Sequence, residues 1–96
     1  MDKRDEYVEK LKRQLEQWNA EFAKWEGKTR EVQASARAEY EKQLAEFRRQ
    51  RDGALEQMRK VQDASGDAWL EIVHGADEAW ARMREAFERA RSHFSK

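Results

Sequence analysis

Apolar residues recur along the chain at alternating steps of three and four: Val8, Leu11, Leu15, Trp18, Phe22 and Trp25, continuing through Thr29, Val32 and Ala36. This spacing keeps one stripe on one side of an α-helix and reads as a heptad seam. After Ala36 the steps become four, four and three through Tyr40, Leu44 and Phe47, and the alternation resumes through Arg51, Ala54, Met58 and Val61. A second change follows, by fours through Ser65, Trp69 and Val73, before Ala76, Trp80, Met83, Phe87, Ala90 and Phe94 restore the pattern. The two skips lie 29 positions apart. That offset over eight turns is about 3.6 residues per turn, so the helices are expected to be nearly straight. The same offset superposes Val32-Gln33 on Val61-Gln62, Tyr40 on Trp69 and Leu44 on Val73, which hints at an internal repeat.

The strongest turn signal is Asp63-Ala64-Ser65-Gly66-Asp67. Gly66 is suited to a left-handed helix end, and Ser65 or Asp67 to capping the next helix. Gly27 leaves the seam in phase on both sides, at a cost of about 1 kcal/mol relative to Ala. Ala34-Ser35-Ala36-Arg37-Ala38 would divide the chain into three equal helices, but its alanines favour helix continuation. The pattern therefore predicts an all-α antiparallel hairpin: a long first helix over about 2–63, a turn at 64–67 and a second helix over about 67–93.

In this hairpin the second helix covers only half of the first. The stripe from Val8 to Trp25 is left bare, at about 1.5–3 kcal/mol for each large side chain denied burial. A second chain is the expected cover, giving a homodimeric rod roughly 90 Å long. The competing architecture is a monomeric three-helix bundle with breaks near Ser35 and Gly66.

Composition supports helices. Among 96 residues there is no proline, only four glycines, and 42% charged side chains, while four tryptophans exclude a fully solvated chain. Basic and acidic residues balance at 20 each, and the densest cationic run, Arg48-Arg49-Gln50-Arg51, is flanked by Glu46 and Asp52. No nucleic-acid partner is expected from such a surface. The chain lacks cysteine, and Met1 leads directly into Asp2-Lys3-Arg4-Asp5-Glu6 with no apolar run long enough for a membrane span. The expected location is the cytoplasm.

One spacing has the form of a metal motif: Glu71-Ile72-Val73-His74 places an acid and a histidine three apart. A dinuclear site needs a second such pair, and His93 is preceded at that position by Ala90. No metal, other cofactor or catalytic residue is expected. A lipid-surface helix is the second reading of the rings; core packing is preferred, since a surface helix would carry excess Lys and Arg and the last third of the chain is slightly acidic. Arg51 and Thr29 either fix register on the seam or sit at its edges. Acid-before-base pairs four apart, such as Glu26/Arg30, Glu56/Lys60, Glu78/Arg82 and Glu85/Arg89, each favour helix by a few tenths of a kcal/mol.

Four segments resemble a family of small bacterial coiled-coil proteins, some labelled as stress-response proteins. They are Glu6-Tyr7-Val8-Glu9-Lys10-Leu11-Lys12, Gln17-Trp18-Asn19-Ala20-Glu21, Ala64-Ser65-Gly66-Asp67-Ala68-Trp69 and Gly75-Ala76-Asp77-Glu78-Ala79-Trp80. The resemblance implies a bacterial cytoplasmic protein without known catalysis and transfers no functional residues. The expected function is that of a non-catalytic, self-associating interaction protein. The alternative is an amphipathic bundle that binds membranes or other apolar surfaces reversibly. In both, the working residues are those of the stripe: Val8, Leu11, Leu15, Trp18, Phe22, Trp25, Val32, Tyr40, Leu44, Phe47, Met58, Val61, Trp69, Val73, Trp80, Met83, Phe87 and Phe94.

Overall fold

The structure, a computed structural model, describes residues 3–95. It is all-helical, with α1 (Lys3–Glu31), α2 (Ala34–Asp63) and α3 (Trp69–Phe94). Asp2, taken above as the start of the first helix, lies outside the described residues. Interhelical contacts give the directions. Phe22 meets Phe47 across α1 and α2, and Phe47 meets Phe87 across α2 and α3. Tyr7 meets Trp69, whereas Trp25 meets Phe94, so α1 and α3 run parallel and α2 antiparallel to both. The bundle measures 52 × 20 × 18 Å.

The long first helix expected over 2–63 is therefore broken. Helix α1 stops at Glu31, Val32 and Gln33 form the bend, and α2 begins at Ala34. Gln33 is extended (φ −62°, ψ 150°), and its carbonyl accepts hydrogen bonds from the amides of Ala36 and Arg37 at 3.0 and 3.1 Å. Magnitudes explain the break. Interrupting a helix forfeits up to about four backbone hydrogen bonds, each worth a net 0.5–1.5 kcal/mol. Folding α1 back buries Val8, Leu11, Leu15, Phe22 and Trp25, at about 1.5–3 kcal/mol apiece. Burial wins, and the chain covers its own seam without a second copy.

The second bend differs in kind. Gly66 has φ +54°, the only positive φ among the described residues, and this left-handed conformation reverses the chain between Asp63 and Trp69. No side chain caps α3: Ala68 occupies the cap position, and the Ser65 and Asp67 carbonyls accept from the amides of Ala68 and Leu70 at 3.0 Å each. Gly27 lies inside α1 and is unstrained.

The three interfaces are unequal. Helices α2 and α3 approach most closely, with Gly53, Ala54, Gly75 and Ala79 lining the groove between them. Helix α1 is held off by the rings of Trp18, Phe22 and Trp25, as expected where interaxial distance follows side-chain size.

Both bends yield opposite expectations. Proline has its fixed φ near that of Gln33 and disfavours α-helix at the residue before it, so Gln33→Pro is expected to keep the bundle folded and raise stability by about 0.4–1 kcal/mol. Gly66→Ala forces an L-side chain into the left-handed region and is expected to cost about 1–2 kcal/mol. Urea denaturation followed by circular dichroism reads both changes.

Candidate functional site

Rings from all three helices form one continuous spine, and this is where the residues of the stripe converge. Phe87 is its hub, with centroids 5.2 Å from Trp18, 4.9 Å from Trp25 and 5.7 Å from Phe47. Trp18 also stacks on Trp80 at 5.8 Å, and Trp25 lies nearly parallel to Phe94, at 5.4 Å and 8°. Tyr40 meets Phe94 and His93, each at 4.8 Å. Such ring pairs contribute about 0.5–1.5 kcal/mol beyond their burial. Heptad spacing on each helix brings the rings to one axis, since residues three and four apart share a face.

Of the stripe residues, Val8, Leu11, Leu15, Phe22, Trp25, Leu44, Phe47, Met58, Val61, Trp80, Met83, Phe87 and Phe94 are buried. Trp18, Val32, Tyr40, Trp69 and Val73 are half-buried, while Ser65, Gly66 and Asp67 form the exposed turn. Thr29 is buried, and its hydroxyl donates to the Trp25 carbonyl at 2.8 Å. Arg51 sits at the edge of the core with its guanidinium over the Phe22 ring, at 5.5 Å, alongside that of Arg48 at 5.2 Å.

Reading the sequence as one stripe missed the full width of α3's packed face. Ala86 is fully buried, and Ile72 and Ala79 pack against the core. With His93 these residues recur every seven positions beside the seam, the signature of a helix that touches two neighbours instead of one. Also missed were the polar groups that fasten α1. The Trp80 indole N–H donates to Gln14 Oε1 at 2.6 Å, and the Tyr7 hydroxyl donates to Asp77 Oδ1 at 2.5 Å. The Arg4 guanidinium donates to the Ala64 carbonyl at the end of α2, and Lys28 Nζ to the Phe94 carbonyl at the end of α3, at 2.7 Å. Each of these two cations thus meets the negative end of a neighbouring helix.

The charged faces are occupied by local pairs. Glu78/Arg82 and Glu85/Arg89 form at 3.9 and 3.8 Å. Two expected partners are exchanged: Glu26 reaches across to Arg48 at 2.9 Å, and Glu56 takes Arg59 at 2.6 Å. His74 turns to Glu78 at 3.1 Å rather than joining Glu71. Among the described residues no group of three or more His, Cys, Asp or Glu is arranged to hold a metal ion, and no helix is long and apolar enough to cross a membrane. No protein-family model, curated protein or solved structure matches the chain.

Burial of the Tyr7 hydroxyl, its hydrogen bond to Asp77 and that carboxylate's charge all push its pKa well above the usual tyrosine value. An unfolded tyrosine ionises near pH 10, so this contact's contribution is fully present below that pH and is lost as pH rises beyond it. Between about pH 9 and 11 the wild type is expected to lose stability more steeply than Tyr7→Phe, read from urea midpoints at each pH. Phe87→Ala, which empties the hub, is expected to cost about 3–5 kcal/mol, whereas Glu85→Ala changes stability by less than about 0.5 kcal/mol.

Proposed function

We propose that this protein is a non-catalytic helical interaction module whose action is association, with another copy of itself as the leading partner. The observation that carries the helix-packing part of this reading is the ring spine, to which α1, α2 and α3 all contribute; the spine lies inside one chain, and pairing of two copies is the part that the sedimentation experiment below decides. The chain's rings are committed to joining helices, and its most distinctive polar side chains, Tyr7, Gln14 and Lys28, fasten one helix to another. The groove between α1 and α3 is bordered by the charged side chains Lys10, Asp77 and Arg84. The resemblance to small bacterial coiled-coil proteins extends the proposal to a cytoplasmic, stress-linked role.

A second reading rests on the base of the bundle. Leu70 is 54% exposed there, beside half-buried Trp69, and Lys3 and Arg4 border the same recess. An exposed apolar tip bordered by Lys3 and Arg4, with Asp67 also lining the recess, suits a membrane surface. Liposome flotation with Leu70→Ser as the control tests it: co-flotation that the substitution abolishes supports this reading.

Self-association is checked by sedimentation velocity from micromolar to millimolar chain concentration. Concentration-dependent growth to double the 11.5 kDa chain mass is the expected outcome. A single monomeric species throughout refutes self-association.

A further inference from the structure

Resting on the reading of the chain as self-associating, we propose that two copies pair by exchanging α1. The bend at Val32 and Gln33 straightens, α1 and α2 fuse into one helix, and each α1 docks on the α2–α3 hairpin of the other copy.

The bend is chemically weak. It consists of two residues, neither Gly nor Pro, and Gln33 makes no side-chain cap to α2. The first turn of α2 carries no acidic residue, so the positive end of the helix lacks the carboxylate that usually steadies it. Straightening would restore intrahelical partners to amides and carbonyls left over at the bend. The seam residues Trp25, Thr29, Val32 and Ala36 keep heptad spacing through the junction. A continuous helix therefore carries the stripe through the bend as far as Ala36, with the change of step to Tyr40 just beyond it.

The register closes around a single point. Phe22 faces Phe47, Asn19 lies against Arg51, and Arg4 reaches Ala64. The midpoint of each of these pairs falls within about a residue of Ser35, and that of the Glu26–Arg48 ion pair two residues beyond it, at Arg37. Two straight helices placed antiparallel about a twofold axis at Ser35 preserve this register, with every contact now made between copies. Directions are also preserved, since each α1 still runs antiparallel to the α2 and parallel to the α3 that it covers.

The same point bears on a segment that the closed bundle leaves exposed, although Arg37 reaches back from it, its guanidinium donating to the Val32 carbonyl at 3.3 Å. Residues Ala34, Ser35, Ala36, Arg37 and Ala38 are all exposed. In the exchanged dimer they lie where the two long helices pass one another, and small side chains allow close approach there. Every interface of the closed bundle reappears, so helix continuity and this new crossing are what is set against the entropy of association.

The native chain has no cysteine, so Glu26→Cys with Arg48→Cys, replacing an exposed cross-helix ion pair of 2.9 Å, provides a clean test with a short bis-maleimide. Light scattering coupled to size exclusion is run on the same samples. The expected result is a dimer whose cross-links join two chains, as seen on a denaturing gel. Gln33→Pro, which forbids helix through the bend, is expected to lose the dimer while keeping its helical circular dichroism. The pair Val32→Ala and Gln33→Ala is expected to raise the dimer fraction. A dimer whose cross-links stay within one chain, or one that survives Gln33→Pro, overturns the exchange and leaves self-association standing. Monomer at every concentration, including with both alanines at the bend, overturns both.

Discussion

The fold depends on the burial of α1's large side chains against the α2–α3 hairpin. An isolated helix with such a stripe has nowhere to place it, and helical propensity alone contributes little to a protein helix. Phe87 shows how the solution works, because one ring on α3 touches rings of α1 and of α2. Contacts at the two ends of α1, Tyr7 with Trp69 and Trp25 with Phe94, then fix the helix directions, and the bend returns α1 to the core.

Polar chemistry is subordinate to this packing but gives it register. Trp80 and Tyr7 each bury most of a ring and spend the remaining donor on α1–α3 bonds, to Asp77 and Gln14 between them. Arg4 and Lys28 sit near opposite ends of α1 and hold the ends of α2 and α3 respectively. The exposed ion pairs are a different population. They lie in water, where such pairs contribute about 0–1 kcal/mol.

Much of this was legible in the amino-acid pattern, and the failure is instructive. Seam residues from Val8 to Phe94 could be picked out because period and burial coincide on a helix. The reversal at Gly66 was readable because a left-handed turn needs a residue without Cβ. The bend at Val32 and Gln33 had no such marker. Its trace is the change of step between Ala36 and Tyr40, which a continuous helix also accommodates, although the corresponding change from Val61 to Val73 brackets the other turn. The break comes from tertiary burial, which no local residue preference encodes. Gln14 and Asp77 were illegible for a related reason: their partners lie 66 and 70 positions away, and only docking brings them together.

The stacking of Trp18 on Trp80, at 5.8 Å and 27°, has an optical corollary. Two indoles so close couple their electronic transitions, and the coupling decays steeply with separation. The pair spans α1 and α3, so its circular dichroism and emission report whether α1 is seated. The chain thus contains its own spectroscopic gauge of bundle closure, without an attached dye.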